Sequence, residues 1–263
     1  IAVSRLAALS AAGWLFSQGP VWSQSAPAAE AAFPLPTLTS AEQVRRLSPA
    51  EAGRGYAVRV QGVVTYSDAD WGHLFVQDST AGIFITPPEG QLALKPGALA
   101  EVEGTTAPGD FAPVVIASAV TSQGEGKLPK AGMADFRRLR AGKRDSQFIQ
   151  IQAVVRTVAM DRGHALLSVD VGEGRLDVFL PGFADALPPT HLVDAGVTIR
   201  GVCAAVVNQR QQSIGIKMFC PGLDFVAVTE PAPTDPFAAP TRTLRSLLQF
   251  STTEDSNHRV KVE

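Results

Sequence analysis

The chain has 263 residues, 45% of them hydrophobic and 18% charged, with a net charge of −2 and a pI near 6.1. That much apolar material forms real cores and excludes disorder over the whole length. A pI well below about 9 lacks the basic footprint of a nucleic-acid binder, so no nucleic-acid partner is expected. Two cysteines and four scattered histidines exclude a disulfide scaffold and a four-cysteine zinc site; no metal and no cofactor is expected.

At the N-terminus, Arg5 precedes the eleven-residue apolar run Leu6–Phe16, followed by Gly19-Pro20 and the small residues Ser23 to Ala26. Basic flank, short apolar run and small residues predict a secretory signal peptide over 1–25, hence export to the periplasm or the outer face of the membrane. The run is too short for a membrane span, which needs about 18 to 20 apolar residues. Ala/Pro-rich residues 26–37 read as a linker. Thr39–Glu42 and Ser48–Glu51 have the spacing of capping boxes, each opening a short helix. From Tyr56 the period becomes two. Strands are predicted at 58–66, 73–77, 82–86, 98–105 and 113–121, with Gly62 as the bend of the long first strand. A second set follows at 148–158, 165–171, 175–180, 197–206 and 213–219. PAPTDPFAAP (231–240) is a proline-rich spacer. Val260-Lys261-Val262-Glu263 alternates as a further strand.

The two sets are one pattern written twice. Val58–Val64 matches Ile149–Val155 at an offset of 91 residues, and Gly72-His73 matches Gly163-His164. Val44–Leu47, Phe136–Leu139 and Leu244–Leu247 each precede such a strand. The period is the size of a domain. The expected fold is all-β with short helices: tandem OB-like, five-stranded Greek-key barrels over 38–125 and 126–230, with 241–263 as the truncated opening of a third unit. A frayed tail with a loosely docked helix near 244–250 is expected there.

The phrases GVVTYSDADWGHLFVQDSTAGIFI (62–85), PGDFAPVV (108–115) and DPFAAP (235–240) resemble the extracytoplasmic input regions of large bacterial membrane-bound sensor histidine kinases. The resemblance covers 38–263. It implies a membrane-anchored parent in two-component signalling, dimeric through that parent, with kinase motifs beyond Glu263. It implies no activity for the chain itself.

Two loops of the first barrel carry the candidate ligand residues. Tyr66, Asp68, Asp70 and Trp71 lie between the first two strands; Asp110 and Phe111 lie between the last two. In OB folds these loops flank the binding face, and aromatics with carboxylates suit sugars or small polar ligands. The same residues also serve as turn formers and barrel plugs. Cys203 and Cys220 sit on neighbouring strands of the second barrel, three residues off register. Export permits a disulfide between them; two buried thiols are the other reading. His73 and His164, at matching repeat positions, read as scaffold. No nucleophile elbow, phosphate loop or zinc-protease motif is present, so no catalytic residue is expected. The expected function is a periplasmic sensor or protein-interaction region of a signalling receptor. A secreted carbohydrate- or envelope-binding module is the alternative, and a nucleic-acid-binding OB protein, the commonest use of such barrels, is the third and least favoured reading.

Overall fold

The structure is a computed structural model and describes residues 35–90, 94–210, 212–235, 241–243, 245 and 260–263. The expected signal peptide, most of the first linker and the helix expected near 244–250, apart from residue 245, lie outside the described residues.

Two short helices lead into the first barrel: α1 (Ala41–Arg45) and α2 (Pro49–Ala52). Both open on capping boxes, in which a serine hydroxyl and an N3 side chain satisfy each other's free amides. The second box is Ser48/Glu51 as expected; the first is Ser40/Gln43, one residue later than Thr39/Glu42. Glu42 instead pairs with Arg46 across one turn, at 2.8 Å.

Five strands follow: β1 (Ala57–Asp68), β2 (His73–Gln77), β3 (Gly82–Thr86), β4 (Ala98–Ala107) and β5 (Val114–Glu125). They close as β1-β2-β3-β5-β4, with β3 and β5 parallel and the remaining pairs antiparallel. Val58, Val60 and Val64 of β1 point inward with Leu74, Val76, Ile83, Ile85, Val102 and Val115. Gly62 sits where strands cross closely, because a Cβ there would meet Val76 Cγ1 at 2.7 Å and the Gln77 carbonyl at 2.8 Å. The bulge expected at Gly62 lies three residues on. Val64 pairs with Val76 and Tyr66 with Phe75, so Thr65 is the extra residue. A one-residue slip reverses which face a side chain takes. It moves Tyr66 out of the barrel interior and onto the outer wall, where it joins a separate cluster with Phe75 and Phe219.

The connection carries β6 (Gly132–Met133) and α3 (Phe136–Arg140), which is N-capped by Asp135. The second barrel is built from β7 (Phe148–Asp161), β8 (His164–Asp170), β9 (Arg175–Leu180), β10 (Gly196–Val207) and β11 (Ser213–Phe219). Its order β7-β8-β9-β11-β10, closed by β10–β7, repeats that of the first barrel. The β7 bulge falls at Arg156, 91 residues after Thr65, so the duplication includes the irregularity. Two strands extend this sheet beyond the five expected: β6 beside β7, and β12 (Val226–Glu230) beside β10. Further along, β13 (Thr241–Arg242) pairs with β14 (Lys261–Val262) in parallel. The strand at 260–263, expected to fray, therefore has a partner, and that partner is not the second barrel.

Candidate functional site

The two barrels meet through residues of both repeats. From the first barrel, Tyr66, Trp71, His73, Phe75 and Phe84 face outward; from the second, Phe148, Phe179, Val202 and Phe219. Phe219 is the hub, buried to 1% exposure. Its ring centroid stands 4.9 Å from His73, 5.2 Å from Tyr66 and 5.7 Å from Phe75. These are the separations of favourable aromatic pairs. Three polar links cross the same junction. The Asp68 carboxylate accepts from His164 Nε2 at 2.6 Å; Gln77 Oε1 accepts from the Phe148 amide at 2.9 Å; Arg45 pairs with Asp145 at 3.1 Å.

The sequence-predicted residues separate into two roles. Tyr66 and Asp68 are buried rather than loop-exposed. The Tyr66 hydroxyl donates to Asp68 Oδ2 at 3.1 Å, and burial, reinforced by that carboxylate, raises its pKa. Asp68 Oδ1 accepts from the amides of Asp70 and Trp71, which shapes the turn. The Trp71 ring stacks on His164 at 3.9 Å and lies under the Arg162 guanidinium at 4.9 Å. Tyr66, Asp68 and Trp71 thus join the barrels, and Asp70 projects into solvent. Repeat-matched positions meet here: Trp71 and Arg162 are equivalents, as are His73 and His164.

Asp110 and Phe111 line a cleft between the barrels, of about 330 Å³. Its walls are β2 and β3 (His73, Phe75, Phe84, Thr86), the loop Gly109–Val114, the junction residues Asp145 and Ser146, and β10 and β11 (Ala204, Ala205, Lys217, Phe219). Arg45 closes one side. Beside the cleft the chain passes backbone against backbone between Gly82 and Ser146. Gly82 lies so close to the Ser146 carbonyl that a Cβ has no room. Ser146 itself adopts a left-handed φ of 61° while its amide donates to the Cys203 carbonyl at 2.7 Å. Asp145 is spent structurally: Oδ2 accepts from Arg45 and the Ser146 hydroxyl, and Oδ1 from the Ala205 amide.

Sequence reasoning missed Arg45, His73, Asp145, Lys217 and Phe219 as cleft residues. Burial, with Lys217 adding repulsion, holds the His73 pKa down at about 4, so its ring is neutral at pH 7. The Lys217 pKa is lowered by burial and then by Arg162. Its ammonium stands 5.0 Å from the Phe219 ring centroid.

Cys203 and Cys220 are free and buried, so the disulfide that export would permit is not formed. Cys203 faces Met218 across the ladder, leaving Cys220 two positions beyond its partner. Burial pushes both thiols up to about 12. Among the described residues no group of acidic, histidine or cysteine side chains is placed to hold a metal ion. Among them, too, no helix is long and apolar enough to cross a membrane.

No protein-family model and no curated protein matches the chain. Solved structures give distant likenesses. An aspartyl tRNA synthetase from Entamoeba histolytica is 14% identical with a TM-score of 0.32, over 40% of this chain and 23% of that one. This chain therefore spans under a quarter of that enzyme. A murine DNA binding protein bound with double-stranded DNA is 13% identical with a TM-score of 0.34, over 67% and 98% of the two chains. An Ifi202 HINa domain in complex with 20 bp DNA is 7% identical with a TM-score of 0.32, over 67% and 100%. These likenesses transfer no function. They do correct the exclusion of nucleic acid drawn from charge balance: DNA-bound chains stand among the neighbours, and a near-neutral composition is no ground for a categorical exclusion. The OB assignment itself rests on the strand order, which closes two five-stranded barrels of one topology.

Proposed function

We propose that this chain is the non-catalytic, ligand-binding input region of an extracytoplasmic signalling receptor, and that the cleft between its barrels is the ligand site. One observation carries the reading: a single cleft takes its walls from both barrels and from the junction joining them. Ligand sites favour such boundaries. A ligand there touches Phe219, Phe75 and His73, the same side chains that set the fit between the barrels, so occupancy and inter-barrel geometry are coupled. Export and membership of a membrane-anchored parent are supported by the N-terminal pattern and by the family resemblance of 38–263.

The test is a thermal-shift panel of small carboxylates, sugars, amino acids and nucleosides at millimolar concentration. It is run on the wild type and on Thr86→Trp, which fills the cleft from the outward face of β3, beside Phe84. At least one compound should raise the wild-type midpoint and leave the variant unmoved. A panel that moves neither protein, or both equally, contradicts the cleft as the site. The gene past the Glu263 codon supplies a second check. An apolar span of about 20 residues downstream fits a receptor, and a stop codon without one fits a secreted module.

A further inference from the structure

The chemistry of the cleft walls narrows the ligand class, given the reading of the cleft as a ligand site. Phe84 and Phe111 present open ring surface to it, backed by the buried rings of Phe75 and Phe219. The charged and titratable groups facing it are Arg45, His73, Asp110, Asp145 and Lys217. Arg45 and Asp145 neutralise each other, and Asp145 has further hydrogen bonds on both oxygens. His73 carries no charge at pH 7. Asp110 stands exposed at the rim, where water solvates it. Lys217 is different. It is half-buried, and among the described residues no carboxylate pairs with its ammonium. A ring face below it satisfies part of the charge and none of its three N–H donors. A cation partly stripped of water and short of acceptors favours an anionic partner.

We infer that the cleft takes a small aromatic carboxylate, its carboxylate on the Lys217 ammonium and its ring among the phenylalanines. The volume suits one ring with a short side chain. One lysine matches one monoanion. A phosphate dianion would bring a second negative charge beside Asp145 and Asp110, with Lys217, among the described residues, as the one cation not already paired there. A sugar brings hydroxyls to the cleft but no anion to the Lys217 ammonium.

Calorimetric titration with 3-phenylpropionate and its neutral amide, 3-phenylpropionamide, tests this. The wild type should bind the acid at least about tenfold more tightly than the amide, the scale of one charge-assisted hydrogen bond. Lys217→Gln should erase that preference while keeping amide binding, and Lys217→Arg should retain it. Circular dichroism melts confirm that both variants fold. If acid and amide bind alike and Lys217→Gln changes neither, the carboxylate assignment is wrong. The cleft reading then survives only if Thr86→Trp abolishes both. If neither compound binds, the aromatic carboxylate class is overturned, and the broader panel alone decides whether the cleft binds anything.

Discussion

Replacing Asp68 with alanine should loosen the join between the barrels more than any other single carboxylate change. The side chain accepts four hydrogen bonds: from His164 Nε2 at 2.6 Å, from the Tyr66 hydroxyl at 3.1 Å, and from the amides of Asp70 at 3.0 Å and Trp71 at 3.4 Å. The two amides lie near the surface, and water replaces their acceptor cheaply. His164 and Tyr66 are both fully buried. Each loses a partner in a place water does not reach, at about 1–3 kcal/mol per group. Breaking a buried pair of this type costs about 3–5 kcal/mol in all. Taking about 4 kcal/mol, and about 2–4 °C per kcal/mol for a chain of this size, the midpoint should fall by about 8–16 °C. Urea denaturation with a fluorescence readout measures the loss directly, and Trp71, stacked on His164, reports on the junction itself. Asp70→Ala, two residues away and exposed, should cost under about 0.5 kcal/mol. A double mutant with His164→Ala should be destabilised by clearly less than the sum of the singles, because both remove the same bond. A loss under about 1 kcal/mol for Asp68→Ala, or strict additivity in the cycle, would refute the view that this bond fastens the barrels together.

Other outcomes follow from the same geometry. Phe219→Ala removes the ring at the centre of the aromatic cluster and should cost about 3–5 kcal/mol in denaturant melts; a cost near 1 kcal/mol would mean the cluster collapses around the gap. Gly82→Ala presses a methyl against the Ser146 carbonyl and should destabilise by about 1–3 kcal/mol, whereas Gly132→Ala, with open space around it and no left-handed φ, should lose less. His73 gives stability a pH dependence. Its folded pKa, about 4, lies below the unfolded value of about 6.5, so the unfolded chain takes up the proton first. Stability is unaffected above about pH 6.5, falls between about 6.5 and 4, and levels below that. Allowing for solvent at the cleft, the loss is about 2 kcal/mol, and His73→Phe should flatten it. Both cysteines should resist a thiol reagent in the native protein and react on unfolding, because burial keeps them protonated; rapid native labelling of either would contradict their placement.

Much of the fold was legible because it depends on local patterning. Strands of period two, turn residues between them and the 91-residue offset give two barrels, and β2, β3, β9 and β11 fall where the pattern puts them. The site was less legible. Tyr66 has the parity of an inward-facing residue, and only the bulge at Thr65, which no glycine or proline marks, turns it toward the second barrel. Asp68 looked like a turn former because its partner, His164, lies 96 residues away. One signal was available. Leu74-Phe75-Val76 and Ile83-Phe84-Ile85 are consecutive apolar residues at the centres of β2 and β3 instead of alternating, which means both faces are buried there and the outer face of the barrel is covered. The matched pairs Trp71/Arg162 and His73/His164 carried the same message, since equivalent positions of two repeats can meet across an approximate symmetry. Lys217 had no such signal; its environment comes from the packing of the barrels.

Amide hydrogen exchange with and without 3-phenylpropionate tests the central claim most directly. If the cleft between the barrels is the ligand site, protection should rise together in the Gly109–Val114 loop of the first barrel and in β11, Ser213–Phe219, of the second, and neither segment should respond in Thr86→Trp. Protection confined to one barrel, or unchanged by filling the cleft, would contradict it.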